Sequence, residues 1–129
     1  MNEREDIAIL YVDDEEINLF LFEATFSAKY EVITAISGKL GLEKLDENHE
    51  KIIVVISDMN MPEMNCVEFV GQAAQKFKNI AFFILTGYNY NEEIDEAIKS
   101  NLVQKYFSKP FNQKEIEDAI QEVLANSGN

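Results

Sequence analysis

IIVVISDMNMPEM, Ile52 to Met64, is the stretch whose reading decides the fold. Five consecutive β-branched residues, Ile52 to Ile56, show no polar alternation, which is what a central parallel strand buried on both faces requires. The run stops at Asp58, and Pro62 marks the loop beyond it. A carboxylate at the carboxyl end of such a strand is costly, because it is partly desolvated there. Open α/β sheets bind their ligands at that end. Asp58 is therefore the expected working residue, and the rest of the chain its support.

Outward from this strand, apolar runs and amphipathic segments alternate without repeats or low-complexity linkers. Ile7 to Val12 (IAILYV) predicts a first strand ending at Asp13-Asp14. Glu15 to about Ala28 predicts a helix with Ile17, Leu21, Ala24 and Ala28 on its inward row. Leu19, Phe22 and Phe26 form a second apolar row on that helix, either part of one broad buried stripe or an exposed patch beside the acidic strand end. Tyr30 to Ala35 is a short second strand, and Ser37 to Asn48 a helix with Leu42 and Leu45 inward, weakened by Gly38 and Gly41. After the central strand, a helix is expected from about Val67 to Phe77, a strand from Ile80 to Leu85, and a helix from Asn91 to Ser100. Val103 to Ser108 reads as a more polar edge strand. Asn112 caps the last helix, with Glu115 placed for a capping box and Ile116, Ala119, Ile120, Val123 and Leu124 inward. Strict β-α alternation predicts an α/β fold: a doubly wound, five-stranded parallel sheet with helices on both faces.

Composition narrows the functions such a fold can host. A chain of 129 residues is most simply one domain, residues 1–129. Twenty-four acids against eleven bases leave a net charge of −13, a field that repels phosphate backbones and anionic membranes. With Cys66 as its only cysteine, the chain can form neither an intrachain disulfide nor a cysteine zinc cluster. Met1-Asn2-Glu3-Arg4 lacks signal-peptide character and no apolar run approaches a membrane span, so a cytoplasmic location is expected. His49 falls in a polar connection and carries no assigned role.

Asp13, Asp14, Asp58, Thr86-Gly87 and Lys109 all follow predicted strands, and in a parallel sheet those ends share one edge. Alone, Asp13-Asp14-Glu15-Glu16 is an acidic helix start, Thr86-Gly87 a turn and Lys109-Pro110 a loop. Together they describe a site. Three converging carboxylates raise one another's pKa unless a cation neutralises them. All-oxygen ligands suit Mg²⁺, with Mn²⁺ as a substitute. Lys109 adds a compact cation, while the Thr86 hydroxyl and the Gly87 N–H add donors for phosphate. That set suits a carboxylate nucleophile attacking phosphorus.

The ordered motifs VDD, SDMNMPEM, ILTG and YFSKPF resemble the receiver domains of response regulators, the phosphoacceptor modules of two-component signalling. The resemblance runs from Ile7 to Leu124. It implies a flavodoxin-like (βα)5 fold with strand order 2-1-3-4-5. By the same resemblance Asp58 is the phosphorylated aspartate, Asp14 a direct metal ligand, Asp13 the holder of a metal-bound water, and Asn60 a carbonyl ligand. Lys109 would pair with the acyl phosphate and precede a cis bond to Pro110. Thr86 and Tyr106 would form a switch pair, while Asn60 and Tyr88 would border the path of the hydrolytic water. Cys66 stands where the family often has glycine, Gln104-Lys105 where a Gly-Ala pair is frequent, and Gly41 in place of a usual alanine.

The implied activity is Mg²⁺-dependent acceptance of a phosphoryl group from a sensor histidine kinase or histidine phosphotransfer protein, which switches a surface for a downstream protein target. The module is expected to be a phosphoacceptor rather than a turnover enzyme, and the resemblance allows a phosphorylation-dependent dimer. Because only a tail, Ala125 to Asn129, follows the last helix, the chain is expected to be a stand-alone receiver or one cut from a longer protein. A haloacid-dehalogenase-like phosphohydrolase is the rival. It would carry Asp-x-Asp after the first strand, where this chain has adjacent aspartates followed by Glu15. A dinucleotide-binding enzyme is disfavoured because no glycine-rich turn follows that strand. A receiver serving only as an unphosphorylated scaffold is disfavoured by the complete set Asp13, Asp14, Asp58, Thr86 and Lys109.

Overall fold

A computed structural model describes residues 7–58, 66–87, 92–100 and 102–127, apart from the side chains at 66, 93 and 127. Strands β1 (Ala8–Val12), β2 (Glu31–Ala35), β3 (Ile52–Ser57), β4 (Ala81–Thr86) and β5 (Lys105–Ser108) alternate with five helices. These are α1 (Glu16–Phe26), α2 (Gly38–Asn48), α3 (Cys66–Lys76), α4 (Glu92–Lys99) and α5 (Gln113–Ser127). The strands pair in parallel in the order β2-β1-β3-β4-β5, so β1 and β3 lie side by side at the point where chain order reverses. Crevices for ligands open at such a reversal.

The unbroken apolar strands are explained by a core on each side of the sheet. Leu10, Val12, Val55, Phe82 and Ile84 face α2, α3 and α4, where they meet Leu45, Phe69, Val70, Ala73, Ile94 and Ala97. Ile9, Tyr11, Val54, Ile56, Phe83 and Leu85 point the other way, against Phe22 and Phe26 of α1 and Ile116, Ala119 and Ile120 of α5. Neighbouring positions of one strand thus serve opposite cores, as the two-residue period of a strand demands. Ser37 Oγ accepts from Leu40 N at 3.1 Å and Asn112 Oδ1 from Glu115 N at 3.0 Å, capping α2 and α5.

Helix α1 overturns the expected inward row. Phe22 and Phe26 are buried and Leu19 packs against their core, whereas Ile17, Phe20 and Leu21 are exposed by 60%, 66% and 48%. Ala24 and Ala28 are exposed as well. The reason is area and shape. The row with two phenylalanines buries more apolar surface than one of isoleucine, leucine and two alanines. Its rings also lock together: Tyr11 stacks on Phe22 at 4.3 Å between centroids, and Phe22 and Phe26 each meet Phe111.

Two smaller departures have clear causes. Gly41 is required by close packing, because a Cβ there would lie 2.9 Å from the buried Phe69 ring and 3.1 Å from Val12. Strand β5 begins at Lys105 rather than Val103, and Gln104 meets Phe82 twice. Its side-chain Oε1 accepts from Phe82 N at 2.6 Å, and its own N–H donates to Phe82 O at 2.8 Å. Cys66 stands at the first position of α3, in helical backbone.

Candidate functional site

The sheet register brings two of the carboxylates together. Val12 of β1 pairs with Ser57 of β3, so the next residues, Asp13 and Asp58, emerge side by side. The main chain fixes both: Asp58 N donates to Val12 O at 2.9 Å, and Asp13 N to Ala35 O at 3.1 Å. Asp14 joins them, and one carboxylate oxygen from each of Asp13, Asp14 and Asp58 lies within 4.8 Å of the others. Asp13 is fully buried and Asp58 nearly so, at 7% exposure, while Asp14 is half-buried.

Lys109 reaches this cluster from the end of β5. Its Nζ lies 2.8 Å from Asp13 Oδ2 and 3.5 Å from Asp58 Oδ1. Burial alone would lower the lysine pKa, but the hydrogen bond to Asp13 and the fields of Asp58 and Asp13 outweigh it and hold the ammonium charged. The bond from Lys109 to Pro110 is cis. Three carboxylates against one ammonium leave two negative charges uncompensated. Hard oxygen donors with that charge excess fit a divalent cation of the Mg²⁺ type.

Thr86 ends β4, fully buried, and its carbonyl accepts from Lys109 N at 2.8 Å. Gly87 follows it at the exposed edge, with open space where a Cβ would stand. Tyr106 is half-buried on β5, packed against the α2–α4 core, with its hydroxyl 3.3 Å from Ser108 Oγ. Asn60 and Tyr88 lie outside the described residues, as does the Pro62 loop. His49 is exposed, with its ring 5.4 Å from that of Phe77.

Two contributors escaped the sequence reading. The Tyr11 hydroxyl donates to Asp13 Oδ2 at 2.6 Å, and Asn18 Nδ2 to the same oxygen at 3.2 Å. Burial first, and then the Asp13 carboxylate, push the Tyr11 phenol well above its ordinary pKa, so it stays a donor. The signal for Tyr11 was available: residues two apart on a strand share a face, so a tyrosine two before an aspartate can reach it. Asn18 gave no comparable signal, since its place depends on how α1 leaves the sheet.

A parallel sheet covered by helices on both faces, with an acidic, lysine-bearing pocket at its strand ends, defines a recognisable class. The family model for the response regulator receiver domain matches residues 9–121, and the chain belongs to that family, whose function is to accept a phosphoryl group in two-component signalling. The chemotaxis protein CheY1 of Helicobacter pylori is 33% identical over 123 residues, covering 92% of this chain and 98% of that one. The response regulator protein VraR of Staphylococcus saprophyticus is 28% identical over 93% of this chain, which spans 57% of VraR. A response regulator receiver domain structure from Clostridium thermocellum superposes with a TM-score of 0.84 at 29% identity, covering 95% of this chain and 97% of that one. The sheet order found here is the flavodoxin-like one the resemblance implied.

Proposed function

We propose that Asp58 accepts the phosphoryl group from a phosphohistidine donor. The observation that carries this reading is the position of Lys109 Nζ, 2.8 Å from Asp13 and 3.5 Å from Asp58 within a cluster of three carboxylates. An Asp58 carboxylate oxygen attacks phosphorus, the P–N bond to the donor imidazole breaks, and the imidazole leaves with the bonding pair and takes up a proton. An acyl phosphate on Asp58 results. Lys109 is close enough to neutralise a phosphoryl oxygen, and the Thr86 hydroxyl and Gly87 N–H are the further phosphate donors. Asp13, Asp14 and Asp58, with the Asn60 carbonyl, would hold the Mg²⁺ or Mn²⁺ ion. When bound, that ion supplies charge neutralisation between the carboxylates and the phosphoryl oxygens. Later attack by water on phosphorus returns free Asp58 and inorganic phosphate, so the chain is a phosphoacceptor rather than a turnover enzyme.

The donor is a sensor histidine kinase or a histidine phosphotransfer protein, and α1 is where it docks. Beside Lys109, a groove of about 500 Å³ runs between Asn18, Leu21 and Thr25 of α1 and Pro110-Phe111. The exposed Ile17 and Phe20 extend this apolar surface next to the pocket. Such a surface suits the apolar face of a donor helix carrying histidine. Thr86 and Tyr106 form the switch pair, and the surface of α4, β5 and α5 meets the downstream protein. Phosphorylation-dependent dimerisation through that surface is one form this output can take. The strongly acidic charge opposes direct binding to nucleic acid or membranes, no helix among the described residues is long and apolar enough to cross a membrane, and a cytoplasmic site of action suits the donor.

Intact-mass measurement with acetyl phosphate and Mg²⁺ tests the assignment. The native chain should gain one phosphoryl group and Asp58→Asn none. Equal labelling of both proteins, or of neither, would overturn it.

A further inference from the structure

Asp13 Oδ2 gathers more donors than a simple ion pair needs. Tyr11 OH lies at 2.6 Å, Lys109 Nζ at 2.8 Å and Asn18 Nδ2 at 3.2 Å, while Glu15 N holds the other oxygen at 3.0 Å. These bonds differ in how firmly their donors are anchored. Lys109 also approaches Asp58, at 3.5 Å, and so is shared between the two carboxylates. Asn18 is half-buried and divides its amide with Glu15 Oε1 at 3.0 Å. Tyr11 has nowhere to go. Its ring is 1% exposed, stacked on Phe22 at 18° between planes, and its strand position is paired with Thr34 on one side and Ile56 on the other.

We propose that Tyr11 is a positioning residue whose hydroxyl holds the Asp13 carboxylate in place when Lys109 turns from it toward the phosphoryl group on Asp58. The inference rests on the assignment of Asp58 as acceptor and adds a residue to it. A fully buried carboxylate that loses its ammonium must keep other donors or rotate to find them. Rotation of Asp13 would spoil an ion site built from three carboxylate oxygens. A rigid phenol behind the carboxylate prevents this and fixes the oxygen that faces the site. Outer donors of this kind, hydrogen-bonded to a metal-site carboxylate, commonly change metal affinity by roughly 10–100-fold when removed.

Tyr11→Phe keeps the stacked ring and deletes the hydroxyl, so it isolates the effect. Two readouts are needed, neither of them activity. Mn²⁺ binding to the unphosphorylated protein, followed by electron paramagnetic resonance, should weaken about tenfold. The melting temperature of metal-free protein should fall only slightly in Tyr11→Phe. In a Lys109→Gln background, where the carboxylate already lacks its ammonium, the same change should lower it by about twice as much or more, as a coupled pair requires. Unchanged Mn²⁺ affinity, or equal melting losses in the two backgrounds, would overturn the role of Tyr11. Failure of the underlying assignment looks different, because the native chain would then take no phosphoryl group on Asp58.

Discussion

Phe20 and Phe22 sit two residues apart on α1 and meet opposite fates. Phe22 is fully buried, stacked on Tyr11 and edge-on to Phe111, whereas Phe20 is 66% exposed beside Ile17 and Leu21. Both flanks of the helix are apolar, so hydrophobicity alone does not separate them. Complementarity does: the inner flank has an aromatic partner in Tyr11, and among the described residues the outer flank has none. This apolar row, left in water beside the pocket, is the surface on which the proposed docking of a phosphodonor rests.

Stability measurements break this comparison most directly. Phe22→Ala should cost about 3–5 kcal/mol by denaturant unfolding, while Phe20→Ala should stay within about 0.5 kcal/mol of the native chain. Equal losses would mean that both flanks belong to the core. The opposite side of the sheet offers a matching test of fit. Helix propensity alone favours Gly41→Ala by about 1 kcal/mol, but contact with the Phe69 ring should make it destabilising by about 1–3 kcal/mol. A more stable variant would show that Phe69 yields freely.

Function sharpens the same contrast. Phe20→Glu should slow phosphotransfer from a cognate histidine donor by roughly tenfold, a loss of about 1.4 kcal/mol at the interface, while labelling by acetyl phosphate is unchanged. Loss of both would place Phe20 in folding rather than docking. The smallest effect is in alkaline titration of metal-free protein. Lys109 and Tyr11 both titrate higher when folded than their ordinary values of 10.5 and 10.0. A group raised in this way contributes stability that is complete below its unfolded pKa and is lost as pH rises toward the folded one. The urea midpoint should therefore decline above about pH 10, less steeply in Tyr11→Phe, and a flat profile would contradict both shifts.

The strands and the acidic strand ends were legible because each is written locally. Ile52 to Ile56 can only be a strand buried twice over, and a parallel sheet puts Asp13, Asp58 and Lys109 on one edge whatever the details of packing. The orientation of α1 was not legible. Two apolar rows share one helix there, and rings supplied by other elements, Tyr11 and Phe111, meet one of them. Of the two readings open for the Leu19, Phe22 and Phe26 row, the structure has the buried stripe, while Ile17, Phe20 and Leu21 look outward. The packing role of Gly41 was not legible for a related reason, because helix propensity carries no knowledge of the Phe69 ring.

The 2.8 Å bond from Lys109 N to Thr86 O has a consequence for the geometry of the strand ends. It tethers, main chain to main chain, the residue bearing the ammonium to the residue bearing the hydroxyl. The backbones that carry the two side chains therefore keep a fixed spacing, like paired jaws on a common pivot.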